Sequence, residues 1–122
     1  MTPVIQTLFG DKKGNCLSAC IASILEISID KVPCWADEKN WADAVSNWLY
    51  KNYGLRYLEV SRTDHIEYFS EQSECFYIMS GKSPRGNFWH AVVGHKGKMV
   101  HDPHPDNKGL EKFETISFLV KG

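Results

Sequence analysis

GNCLSACIASIL, residues 14–25, is the stretch on which the fold turns. Leu17, Cys20, Ile21, Ile24 and Leu25 fall at the i, i+3, i+4, i+7, i+8 spacing of an amphipathic helix. Asn15 is placed to cap its start, and Gly14 frees the turn before it. The spacing predicts a helix that buries one stripe and carries Cys16 in its first turn.

Working outward, a second helix is expected over about 40–53, with Trp41, Ala44, Val45, Trp48 and Leu49 inward and Gly54 ending it. The pattern then turns to strands: LRYLEV at 55–60, CFYIMS at 75–80, FWHAVVGH at 88–95, KMVHD at 98–102 and ETISFLV at 114–120. A short helical turn around Thr63 to Phe69 bridges the first two. Helices followed by short strands predict an α+β fold, its helices packed on an antiparallel sheet. At 122 residues the chain is sized for one domain, 1–122.

Hydrophobic residues make up 43% of the chain, which argues against disorder. The net charge is −1 with Lys and Arg scattered, so no nucleic-acid partner and no membrane surface is expected. The opening residues carry neither a basic leader nor an apolar run, and no stretch reaches the length of a membrane span. The expected location is therefore a reducing cytoplasm, where Cys16, Cys20, Cys34 and Cys75 remain thiols.

Cys16 is the first chemical candidate, because a helix N-terminus stabilises a thiolate with its unpaired N–H groups and partial positive charge. Cys20 lies in the apolar stripe and is read as packing. His90 opens the apolar run HAVV, where a rigid strand can aim its ring at a cleft; a thiol nucleophile needs such an imidazole to take and return its proton. His95, His101 and His104 stay open as alternatives. Asp102 ends the next strand before Pro103, and its carboxylate is placed either to orient His90 or to form an ordinary turn. Gln6 offers a side-chain amide that can donate to an oxyanion alongside the Cys16 N–H. For Asp102 to meet His90, the hairpin between them must contain an odd-length loop or a bulge.

Together these segments resemble the papain-like cysteine peptidases. NCLSACIASIL is similar to their nucleophile helix, in particular that of the peptidases that cleave double-glycine leaders in bacteriocin export. HAVVGHKGKMVHDPHP looks like the same family's second half: a histidine opening a strand, a hairpin, then Asp-Pro. The segments QTLFG, GNCL and HDPHP also resemble small phage-encoded proteins. The likeness implies a papain-like fold and a thiol peptidase or amidohydrolase. It assigns Cys16 as nucleophile, His90 as base and acid, Asp102 as orienting group and Gln6 as oxyanion donor. The implied partner is a protein or peptide substrate, in a host cytoplasm if phage-encoded, and no cofactor is called for. Leu17 stands where the family usually has glycine, Asn15 where it has aspartate, and the Gln6–Cys16 interval is longer than usual.

Other classes fare less well. Four cysteines and five histidines invite a zinc reading, but no Cys-x-x-Cys pair occurs; Cys16 and Cys20 are spaced for one helix face, and His101 and His104 are spaced to reach a metal. Gly81-Lys82-Ser83 lacks the leading glycine of a phosphate loop, since Phe76 stands there. GKSPRGN, 81–87, reads instead as a loop at the lip of the cleft, offering Lys82 and Arg85 to an anionic group. The tryptophans at 35, 41 and 48 are expected mostly in the core, with Trp89 walling the site. The expectation is a cysteine-nucleophile hydrolase working through an acyl-cysteine. Its alternative is a non-catalytic binding or inhibitor protein on the same fold.

Overall fold

A computed structural model describes all 122 residues. Helix α1 spans Cys16–Leu25, α2 Trp41–Tyr53 and α3 Asp64–Gln72, with a short 3-10 turn at Ile29–Lys31. The strands are β1 Leu55–Ser61, β2 Tyr77–Lys82, β3 Trp89–His95, β4 Lys98–His101 and β5 Lys112–Lys121. They form one antiparallel sheet in the order β1-β5-β2-β3-β4, so the chain is α+β as expected. The last strand enters between the first and second, a crossover with no local signature. No helix is long and apolar enough to cross a membrane.

Helices α1 and α2 cover one face of the sheet, α1 on β3 and α2 on β1. Their shared core holds Cys20, Ile21, Val45 and Leu49 against Ile78, Ala91 and Val93. Gly54 ends α2 in the left-handed conformation, as its position predicts. Tyr77, Ile116 and Phe118 form a smaller core on the opposite face. Phe69 of α3 meets Phe118 edge-on there, with ring centroids 5.6 Å apart. That helix is longer than the short turn expected, because the Thr63 hydroxyl caps it, accepting from the Ile66 N–H at 3.2 Å.

Helix α1 does not bury a single stripe. Ser18, Ala19, Ala22 and Ser23 are as buried as Cys20 and Ile21, so the helix is enclosed. The reason lies in the residues before it, which run back along its outer side. Thr2 N–H donates to the Ser23 carbonyl and Val4 N–H to the Ser23 hydroxyl, both at 2.9 Å. The ring of His101 donates to the Val4 carbonyl at 2.7 Å, and Gln6 N–H to the Pro103 carbonyl at 3.0 Å. Residues 2–6 thus lace α1 to the far edge of the sheet. Small serine and alanine side chains make room for that close approach.

All four cysteines are unpaired, and Cys20 is fully enclosed. Cys20→Ser should therefore cost about 1–3 kcal/mol of stability by placing a hydroxyl among apolar neighbours. Cys16→Ser, at the half-exposed head of the helix, should shift a denaturation midpoint far less. Equal losses from the two substitutions would mean that Cys16 too is only a packing residue.

Candidate functional site

Lys96 and Gly97 turn the β3–β4 hairpin in two residues, with φ of 52° and 81°. Both lie in the left-handed region, and glycine suits the second. His95 pairs with Lys98 and Gly94 with Met99, a register that would place Asp102 on the face opposite His90. The register then shifts: Val93 pairs with His101, leaving Val100 as an extra, bulged residue. One more antiparallel step sets Asp102 across from Val92, hence diagonal to His90 and on its face. The hairpin combines the short loop with the bulge that the Asp102–His90 pairing requires.

The pair that results is buried. His90 and Asp102 are each 3% exposed, and His90 Nε2 donates to Asp102 Oδ1 at 2.7 Å. The same oxygen accepts the His104 N–H at 2.9 Å, and Oδ2 accepts the Gly109 N–H at 2.8 Å. Asp102 is thus a turn aspartate and the partner of His90 at once. Burial alone would raise its carboxyl, but the hydrogen bonds from His90, His104 and Gly109 and the nearby imidazole hold it below the usual carboxylate range.

With Nε2 committed to Asp102, Nδ1 is the ring nitrogen left for Cys16. The thiol and the ring line the same cleft, near enough for the sulfur to favour the charged imidazole. Burial works against the charged ring, yet Asp102 and Cys16 together raise the His90 pKa to about 9. The imidazole is therefore protonated at neutral pH. Cys20, one turn further along α1, is pushed the other way: burial, then the charges of Cys16 and Asp102, raise its thiol well above the ordinary range.

Gln6 reaches the site through the N-terminal segment. It is 5% exposed, and its Nε2 donates one hydrogen to the Leu8 carbonyl at 2.8 Å, leaving the second uncommitted. Asn15 occupies the N-cap position of α1, but its side chain does not cap the helix. Its Oδ1 accepts the N–H groups of Thr7 and Leu8 at 2.9 Å each, and its Nδ2 donates to the Thr7 hydroxyl at 2.9 Å. Asn15 thereby clamps the segment that carries Gln6 to the head of the helix that carries Cys16. This longer route accommodates the Gln6–Cys16 interval. The cost is a helix start without a side-chain cap, which leaves first-turn N–H groups, that of Cys16 among them, without a helical acceptor.

These residues share one open cleft of about 840 Å³, which Gln6, Cys16, His90 and His104 all line. Trp89 is 60% exposed at its rim, whereas Trp35 is buried and meets Trp48 at 5.7 Å. Phe9 and His104 stack edge-on at 5.1 Å beside His90. Of the two cations in 81–87, Lys82 belongs to β2 and pairs with Glu111 at 2.8 Å, outside this cleft. Arg85 lines the cleft but grips both oxygens of Asp106 at 3.0 Å. The expected pair of cations for an anionic group is thus spent within the fold. His101 is engaged with the Val4 carbonyl and His104 Nδ1 with the Asp106 N–H. No local pattern points to the clamp by Asn15 or the Gly109 donor; the Asx turn at Asp102 is open to view in Asp-Pro-His. Comparisons with family models, curated proteins and solved structures gave no match.

The raised pKa of His90 has a sign that can be measured. Its folded value of about 9 lies above the unfolded value near 6.5. Its contribution to stability is complete below about pH 6.5 and is lost as pH climbs through about 9. The wild-type protein should lose up to about 3 kcal/mol over that window, beyond any loss in His90→Gln. Parallel stability profiles for the two proteins between those pH values would show that His90 is not held as a cation.

Proposed function

We propose that this chain is a papain-like cysteine hydrolase that cleaves an amide or isopeptide bond through an acyl-cysteine intermediate. The observation that carries the proposal is the imidazole of His90 held between the buried Asp102 carboxylate and the Cys16 thiol, at a helix N-terminus and open to a cleft. An imidazole beside a thiol can take its proton and later return it to the leaving group.

In the first half-reaction Cys16 Sγ attacks the carbonyl carbon of the substrate. The carbonyl electron pair moves onto oxygen, where the Cys16 N–H and the free Gln6 amide hydrogen are the donors at hand. As the C–N bond breaks, its electrons leave with nitrogen, which takes the proton from His90 and departs as an amine. A thioester on Cys16 remains. In the second half, neutral His90 takes a proton from water as its oxygen attacks the thioester carbon. The C–S bond breaks, releasing a carboxylic acid and returning the sulfur and His90 to their starting state. Asp102 keeps the ring oriented and compensates its charge throughout, without itself taking the proton.

The natural substrate on this reading is a protein or peptide, and a phage-borne copy would meet it in the host cytoplasm. The non-catalytic alternative uses the same cleft for binding alone and needs no coupling between Cys16 and His90.

Cysteine-resolved alkylation at pH 7 separates the two. In the wild type Cys16 should react well ahead of Cys20. His90→Ala should slow Cys16 by about tenfold or more through loss of its proton acceptor, while Cys34, which is exposed, keeps its rate. A Cys16 rate indifferent to His90 would remove the nucleophile and leave the binding reading.

A further inference from the structure

The cleft reaches across the sheet to an arm at β1, which β5 and β2 separate from the strand of His90 and which the acyl-transfer chemistry does not use. Trp41 and Tyr57 line it there, with Glu59 on β1 and Thr115 on β5. Trp41 and Tyr57 meet edge-on with centroids 5.9 Å apart. Tyr57 and Glu59 are alternate residues of β1, so they share a face and stand about 7 Å apart along the strand. Burial pushes the Tyr57 phenol up, and negative charge at Glu59 and at Cys16 adds to that push, so the ring lies within electrostatic reach of both.

Asp11, Lys12 and Glu59 line the cleft outside any ion pair, and of the three only Glu59 stands on the sheet, on the strand that carries Tyr57. Arg85 is neutralised by Asp106, and His90 by Asp102. The ion pairs of this protein leave Glu59 out, and its one hydrogen bond is a long one, accepted from the Thr115 hydroxyl at 3.4 Å. An exposed carboxylate outside any ion pair, on the same strand face as an aromatic ring, suits one kind of ligand group. A cation on a flexible apolar stem can lay the stem against the rings, where the π faces favour it, and pair its head with the carboxylate. An anionic group would meet repulsion there, and a neutral apolar group would leave Glu59 covered without a partner.

We propose that the Trp41–Tyr57–Glu59 arm is a specificity pocket for an ammonium or guanidinium side chain, so that the bond presented to Cys16 belongs to a lysine-, arginine- or amine-bearing substrate. This deepens the hydrolase reading and rests on it for the word substrate; the pocket itself is a binding claim that can be tested separately.

The probes are an ammonium-tailed chloroacetamide and its uncharged alkyl isostere of equal length. Each alkylates a thiol by forming a C–S bond and expelling chloride. The readout is the ratio of the two rates at Cys16, normalised to the same ratio at exposed Cys34, which reports intrinsic reactivity and bulk charge attraction. The normalised ratio should be roughly tenfold in favour of the ammonium probe, the combined scale of a partly shielded ion pair and a cation–π contact. Glu59→Gln should bring it close to one, and Glu59→Lys below one. A wild-type ratio near one, or a preference that survives Glu59→Gln, overturns the pocket. Repeating the neutral probe on His90→Ala tests the hydrolase reading by itself. If Cys16 ignores His90 while the ammonium preference persists, hydrolysis falls and the cation pocket stands.

Discussion

The site depends on one buried carboxylate. Asp102 accepts three hydrogen bonds, from His90, His104 and Gly109, and each ties down a different piece of chain. His90 belongs to the sheet, His104 to the turn after β4, and Gly109 to the approach to β5. A carboxylate in so enclosed a position is tolerable only when its oxygens are paired and a cation stands beside it. Folding the loop around Asp102 and holding His90 protonated are therefore one physical requirement. Remove the carboxylate and two backbone donors, a ring and a loop lose their common acceptor.

The second requirement is the clasp at the N-terminus. An asparagine at a helix start ordinarily caps that helix. Here Asn15 spends its amide on Thr7 and Leu8, and Gln6 is carried to the cleft as a consequence. Unsatisfied N–H groups at the helix head are a cost for stability, yet they are what an anionic sulfur or an oxyanion requires. Enclosure of α1 by residues 2–6 gives the helix the rigidity its missing cap does not.

What the sequence disclosed follows from how local each signal is. The Cys16 helix, the Gly54 stop and the strands around His90 are written in spacings of a few residues and appear within a residue or two of expectation. Even the His90–Asp102 contact was legible, because antiparallel register is simple arithmetic and only a bulge or odd loop allows it. Hidden from view were the long-range choices. Nothing near β5 says that it enters between β1 and β2, and nothing in GKSPRGN says that Lys82 and Arg85 find Glu111 and Asp106. Those pairings are set by which surfaces the folded sheet brings together. The same holds for Glu59, an ordinary strand residue in the sequence whose interest comes from the aromatic rings that α2 and the loop before it set beside it.

The central claim is that His90 is a cation held between a carboxylate and a thiol. The most direct measurement is an NMR titration of the His90 ring in the wild-type protein, with Asp102→Asn and Cys16→Ser as comparisons. The account predicts a wild-type pKa near 9, with Nε2 bearing the proton shared with Asp102, and a clear fall in each variant. A wild-type ring that titrates at or below about 6.5, the ordinary value for histidine, or that ignores the loss of both partners, would contradict it.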